Sequence, residues 1–251
     1  MPKKQVTASV PYSPRPLQAE IHRALHNNGN RKRFAVLAIH RRFGKTVLAV
    51  LELIQAVTAC NLTFPRCFYI APTFKQAKSI AWDYIKEMTR PIPGMRFYET
   101  ELTAKFPNGG RITCLGAENF ETIRGNYIDM AVLDEYGNMN PLIWREVIRP
   151  AMADRKGSVI FLGTPNGKNH FYDAYVEAEN NEAWLARTYR ADKTKILPED
   201  ELQAARDTMG EEEYRQEFLC DWQAAVRGSY YGLETSRLKA DGRLCTVPHA
   251  R

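Results

Sequence analysis

Phe34-Ala-Val-Leu-Ala-Ile39 runs straight into His40-Arg-Arg-Phe-Gly-Lys-Thr46, and an apolar, helix-forming segment follows from Val47 to Ala59. Strand, loop and helix in this order make the frame of a P-loop, where successive backbone N–H groups and a helix N-terminus cradle anionic phosphates. In that frame Lys45 is expected to reach the β- and γ-phosphates of a nucleotide, and the Thr46 hydroxyl to hold Mg²⁺. The pattern G-x-x-x-x-G-K-[ST] is incomplete, because its first glycine falls at Ile39. Gly-Lys-Thr alone recurs by chance in many proteins. The strand before it and the helix after it carry the reading.

Outward from this stretch, short apolar runs recur at 67–71, 128–133 and 158–163. Near-continuous hydrophobic strands of this length suit a parallel sheet buried on both faces. Helical patterns cover 15–27, 45–59, 74–89, 140–152, 167–180 and 198–219. Their alternation with the strands predicts an α/β three-layer sandwich with a mostly parallel central sheet. Residues 97–116 alternate polar and apolar around Pro107-Asn108-Gly109-Gly110, which predicts an added antiparallel β-hairpin.

The run Met130-Ala-Val-Leu-Asp134-Glu135 supplies a second half for the nucleotide site. Four apolar residues and two carboxylates at a strand end are what a Walker B element needs. Asp134 can hold Mg²⁺ through water, and Glu135 can polarise the attacking water. A consecutive Asp-Glu favours hydrolysis over transfer to another acceptor and places the fold among ASCE-type P-loop NTPases. Gln18, in Arg15-Pro-Leu-Gln18, offers a carboxamide suited to the N6 and N7 edge of adenine. Thr164, in Gly163-Thr-Pro-Asn-Gly167, stands where a hydroxyl could sense the γ-phosphate, although composition alone reads equally as a turn. Arg124 lies in a loop eleven residues before Glu135, and by itself reads as a solvated surface arginine.

Composition sets the outer bounds. With 251 residues, 44% hydrophobic and 25% charged, the chain reads as one globular domain with short appendages. A net charge of +6 fits a polyanionic partner without requiring one. Cys60, Cys67, Cys114, Cys220 and Cys245 have no C-x-x-C spacing and read as reduced thiols. The N-terminal residues lack the apolar core of a signal peptide, and no apolar run approaches the ~20 residues of a membrane span. His22 and His26 are spaced i, i+4 but lack the glutamate of a zinc hydrolase motif, and read as a half-exposed helix face.

Taken together, Arg15–Gln18, Arg41-Arg42-Phe43-Gly44-Lys45-Thr46, Ile70–Ala77, Ile123–Asn126, Val132–Glu135 and Gly163–Gly167 resemble the N-terminal ATPase of the large terminase subunit of tailed bacteriophages. The likeness spans about residues 12–225. That family's P-loop commonly lacks the first glycine and carries an arginine, which Arg41 matches; Arg42 stands where a glutamine is common. The resemblance implies an ATP and Mg²⁺ site at Arg41–Thr46 and Asp134, with Glu135 orienting water. It implies that Arg124 is the finger inserted into a neighbouring subunit's site, Thr164 the coupling residue and Gln18 the adenine-reading residue. It implies double-stranded DNA, a homo-oligomeric ring on the capsid portal and a small terminase subunit as partners, in the host cytoplasm and transiently on the procapsid. Lys105 and Arg111 on the 97–116 hairpin are candidates for gripping DNA through its backbone; a solvated hairpin fits them as well.

The expected organisation is a motor domain over 1–225 and a linker over 226–251, leading towards a nuclease domain. After Asp221 only Glu234 and Asp241 remain as carboxylates, too few for two-metal phosphodiester cleavage. Two other functions share parts of this pattern. A superfamily 2 helicase or remodelling motor also has an upstream glutamine, a P-loop and an Asp-Glu pair, but needs a second motor lobe. A non-catalytic DNA or portal adaptor on a P-loop scaffold would not need Lys45, Asp134 and Glu135 intact.

Overall fold

The computed structural model describes residues 10–26, 32–224, 238 and 241–243. In chain order the elements are α1 (Pro16–Leu25), β1 (Phe34–Ile39), α2 (Lys45–Ala59), β2 (Arg66–Ala71), α3 (Phe74–Ala77) and α4 (Asp83–Thr89). Then come β3 (Arg96–Tyr98), β4 (Thr103–Lys105), β5 (Arg111–Gly116), β6 (Met130–Asp134), α5 (Arg149–Ala151), β7 (Ser158–Gly163), α6 (His170–Glu179), β8 (Trp184–Tyr189), α7 (Ala191–Thr194), α8 (Glu199–Thr208) and α9 (Glu211–Glu217). The expected helix over 74–89 is continuous, with a π turn at Lys78–Trp82 joining α3 to α4.

All eight strands form one sheet in the order β3-β4-β5-β2-β6-β7-β1-β8. From β5 to β8 every pair is parallel; β4 alone runs antiparallel to both its neighbours. β1 is buried along its whole length and feeds two cores by alternation. Ala35, Leu37 and Ile39 face one core with Ile21, Leu48 and Ile54, while Phe34 and Val36 face the other with Ile143, Phe161 and Phe171. Burial on both faces is why the central strands read as unbroken apolar runs. The result is the three-layer, mostly parallel P-loop sandwich expected from the sequence.

The structure corrects four expectations about elements. The hairpin is present, with β4 and β5 turning around Pro107–Gly110, but β5 also pairs in parallel with β2 and joins the main sheet. β8 has no counterpart among the expected strands. It is an edge strand whose Arg187 and Thr188 point to solvent, so its apolar signal is broken. The helix expected over 198–219 is two helices, because Met209 is extended (φ −102°, ψ 154°) and Gly210 caps α9. Glu211-Glu212-Glu213 is the acidic first turn of that second helix and matches Glu199-Asp200-Glu201 at the first. The helix expected over 140–152 is shorter, a π turn at Ile143–Ile148 running into α5. The linker expected over 226–251 lies outside the described residues apart from 238 and 241–243.

Candidate functional site

The carboxyl ends of β1, β6 and β7 converge on one cluster, as the ends of parallel strands do where such folds bind ligands. β1 leads through the loop His40–Gly44 into α2, and Lys45 is the first residue of that helix. Its Nζ lies 3.0 Å from Glu135 Oε1 and 3.4 Å from the Ile39 carbonyl. Glu135 follows the tip of β6 in the left-handed region (φ 55°, ψ 45°). A non-glycine residue held there is strained, and such strain gathers at functional sites. Both Thr164 N and Thr164 Oγ1 lie 3.5 Å from Glu135 Oε2. Gly163 permits this approach: a Cβ there would stand 3.3 Å from Glu135 Cα. Three separate motifs therefore meet at one carboxylate.

Asp134 is buried at the strand tip beside this cluster. Tyr69 of β2 donates a hydrogen bond to its Oδ2, and the Glu135 backbone N–H donates to Oδ1 at 3.1 Å. Burial first, and the Glu135 charge second, push the Asp134 carboxyl up to about 6. The Thr46 hydroxyl also faces the Tyr69 oxygen, so Thr46 and Asp134 flank one phenol. A hydroxyl and a buried carboxylate at a phosphate loop fit Mg²⁺, which takes one or two protein oxygens and completes its shell with phosphate and water. Bound there, Mg²⁺ would neutralise charge on phosphate oxygens. Among the described residues no group of three or more His, Cys, Asp and Glu side chains is placed to hold a metal by itself.

The loop is fixed from both sides. Gly44 takes φ 94°, and a Cβ on it would fall 2.8 Å from Gln18 Nε2. Gln18 is buried; its Nε2 donates to the Gly44 carbonyl at 3.2 Å and its Oε1 accepts from Arg15 N at 2.9 Å. The expected adenine-reading carboxamide thus lies against the loop with both ends engaged in the chain. Phe43 is fully buried and packs on Tyr189 and His40. His40, overlooked in the sequence, is fully buried; Nδ1 donates to the Arg41 carbonyl at 2.5 Å, and Nε2 is hydrogen-bonded to Thr194 Oγ1 at 2.8 Å. Burial lowers the pKa of this ring. Arg41 donates its backbone N–H to the Glu217 carbonyl and sets its guanidinium 3.1 Å from Glu217 Oε2. This last contact is an ion pair without hydrogen-bond alignment, since Glu217 Oε2 is buried with no hydrogen-bond partner. Arg42 is exposed, with φ 65°.

Arg124 stands apart. It is exposed after the 3₁₀ turn Ala117–Ile123 and pairs with Glu121 and, at 3.1 Å, with Glu146. Neither carboxylate belongs to the Lys45 cluster. Lys105 and Arg111 lie at the other end of the sheet, directly opposite each other on β4 and β5. They line a cleft of about 340 Å³ with Phe64, Arg66, Tyr98 and Glu101. Arg111 Nε is buried without a partner, and burial, then the Arg66 charge, lower its pKa.

The structure therefore unites Lys45, Thr46, Asp134, Glu135 and Thr164, seats Gln18 and Phe43 behind the loop, and leaves Arg124, Lys105 and Arg111 elsewhere. Tyr69 and His40 gave no sequence signal of their own, because each acts through a residue distant in the chain.

Comparison with known proteins agrees with this arrangement. Over 184 residues the chain is 25% identical to the terminase large subunit of Thermus virus P23-45, covering 66% of this chain and 36% of that one. It is 23% identical over 230 residues to the large subunit of Escherichia phage T5, covering 88% and 51%. The chain thus spans about half or less of the curated relatives it matches. The Thermus phage P74-26 large terminase ATPase domain superposes with a TM-score of 0.73 at 19% identity, over 85% of this chain and 95% of that one. The HK97 bacteriophage large terminase gives 0.61 at 19% identity, over 94% and 50%. These two likenesses establish the fold. A family model described as terminase large subunit, T4-like-virus type, N-terminal, matches residues 38–237. That is more than half of the 251 residues, and the chain belongs to this family of terminase large subunit N-terminal regions.

Proposed function

We propose that this chain is an ATP-hydrolysing motor that drives double-stranded viral DNA into a procapsid. The observation that carries the reading is the meeting of Lys45, Glu135 and Thr164 at one carboxylate, with buried Asp134 beside it. ATP binds along Arg41–Thr46, Lys45 contacts phosphate charge, and Thr46 with Asp134 holds Mg²⁺. Glu135 orients the attacking water, and Thr164, in contact with it, senses the state of the γ-phosphate. A thermophilic bacteriophage large terminase of similar fold has been solved with ADP and with an ATP analogue, which supports a nucleotide as the ligand.

Arg124 serves a neighbouring subunit. Its exposure and its distance in the network from Lys45 suit a residue that completes a site in trans, within a homo-oligomeric ring on the portal. Residues 1–225 act as the motor domain and 226–251 as a connector to a nuclease domain. Gln18 serves the adenine side, Arg42 and Phe43 shape the loop, and Lys105 and Arg111 belong to the DNA grip. Packaging takes place in the host cytoplasm with the small terminase subunit as partner. The test is the ATPase rate against protein concentration, with and without duplex DNA. Specific activity that rises with concentration supports the reading. Absence of turnover at any concentration with DNA present would favour the adaptor, and duplex unwinding would favour a helicase.

A further inference from the structure

Strand register at the β3 end of the sheet builds a feature that the chain order hides. Arg96 lies opposite Lys105, Lys105 opposite Arg111, and Arg111 opposite Arg66. Four basic residues from four adjacent strands thus form a single cross-strand row. Residues in register point to the same face, and here it is the face away from the core formed by Ile112, Cys114 and Ala104. With neighbouring strands about 4.8 Å apart, the row is about 14 Å long. It begins at the amino ends of β2 and β5, opposite the strand ends that carry Lys45 and Glu135.

Like charges directly opposite on a sheet destabilise it, so the row needs a reason. Protection of an exposed edge by charge accounts for Arg96 on β3 and extends to Lys105 beside it. It does not account for Arg111 and Arg66, whose strands β5 and β2 are interior. Nor does local pairing account for the row. Among the described residues the side chains of Arg96 and Lys105 make no hydrogen bond or ion pair. Arg111 Nε is buried with no partner. Only Arg66 is engaged, donating to Asn126 Oδ1 at 2.8 Å and stacking on Tyr127. One carboxylate, Glu101, lines the cleft, against three of the four cations. Thr103 lines the same cleft, and the exposed Tyr98 and Phe64 flank it.

We propose that this row is a seat for the phosphodiester backbone of duplex DNA, with Arg96 and Arg66 as contacts alongside Lys105 and Arg111. Resting on the motor reading above, it names the face that grips the polymer. One strand of duplex DNA presents a phosphate about every 3.4 Å of axis, so a row of about 14 Å is long enough to meet more than one phosphate at a time. Side chains that meet only phosphate carry no sequence information, as a packaging motor requires. The grip and the hydrolysis site then sit on different strands, at opposite ends of one sheet.

The test is fluorescence anisotropy of a labelled 20-base-pair duplex across a salt series. The variants are Arg96→Ala/Lys105→Ala, Arg96→Ala/Lys105→Ala/Arg111→Ala, and a charge-matched control Lys75→Ala/Arg145→Ala/Lys193→Ala. The row triple should lose on the order of tenfold to a hundredfold in affinity at physiological salt. Its log–log salt slope should fall by about 2–3, at roughly 0.9 per phosphate contact. The double variant, which touches only exposed side chains, should show a smaller loss of the same kind with unchanged melting temperature. A duplex of scrambled sequence should behave alike. A row triple no weaker than the control overturns the proposal, and so does a tenfold preference of the wild type for single-stranded DNA. If the wild type hydrolyses ATP but binds no duplex, the seat is wrong and the ATPase reading stands. If the row variants lose duplex binding while the wild type never hydrolyses ATP, the seat stands and the motor reading fails.

Discussion

The two ends of the sheet arrange their charges in opposite ways. At the carboxyl ends of β1, β6 and β7, Lys45 is 3.0 Å from Glu135, Asp134 is buried against Tyr69, and Thr164 closes on the same glutamate. At the amino ends of β2 and β5, cations stand side by side, and Arg111 Nε has no partner at all. Mutual pairing holds side chains in one geometry, and positioned catalysis depends on that. A row with only Arg66 engaged keeps most of its charge available, as contact with an indifferent polymer requires. The same sheet thus offers a precise end and a permissive one.

Arg124 belongs to neither end, and it tests whether the precise end is complete within one chain. Arg124→Ala should bind ATP normally and lose roughly 10³–10⁵ in turnover, the measured scale of arginine fingers. Mixing Arg124→Ala with Lys45→Ala should restore activity, because the finger of one subunit meets the intact pocket of the other. Wild-type turnover in Arg124→Ala, or a silent mixture with assembly demonstrated, would mean the hydrolytic end is self-sufficient.

The Lys45–Glu135 contact separates binding from chemistry. Lys45→Ala should abolish nucleotide binding, measured by calorimetry. Glu135→Ala should keep binding and lose turnover by about 10² or more, the scale of a positioned general base. Equal loss of affinity in both variants would contradict the division of roles.

Asp134 carries a cost of the precise end in its pH dependence. Its pKa is raised to about 6, above the usual 3.8, chiefly by burial. A carboxyl raised in the folded state contributes stability that is present below the unfolded pKa and is lost as pH rises through the folded one. In the presence of EDTA, Asp134→Asn should therefore be more stable than wild type at pH 7.5. The advantage should shrink from about pH 6 and vanish near pH 4, as followed by chemical denaturation. A constant difference across that range would show that Asp134 is not ionised against its surroundings. The smallest effect is expected from Tyr69→Phe, which removes only the hydroxyl donated to Asp134. It should cost about 1.5 kcal/mol at pH 7.5, and less in an Asp134→Asn background.

Much of the precise end could be read from the sequence because its parts are local. Gly44-Lys45-Thr46 follows an apolar strand, Asp134-Glu135 ends another, and Gly163-Thr164 ends a third. Each motif reports its own strand tip, and the parallel fold brings the tips together. β8 was missed because an edge strand exposes Arg187 and Thr188 and breaks its apolar run. The split between α8 and α9 was missed because α8's helical pattern runs on through Met209, while the second acidic turn at Glu211–Glu213 marks a new start.

By itself the sequence determined the P-loop frame, the two-faced burial of the central strands, the hairpin turn at Pro107–Gly110 and the strand-tip positions of Lys45, Asp134, Glu135 and Thr164. These depend on neighbours within a few positions in the chain. Only the tertiary structure decided that Tyr69 donates to Asp134, that His40 and Arg41 are tied to Thr194 and Glu217, and that Arg96, Lys105, Arg111 and Arg66 stand in one row. The physical reason is that periodicity fixes which face a side chain occupies. Lateral order and register depend instead on how faces from distant segments pack against one another, and no spacing along the chain records that choice.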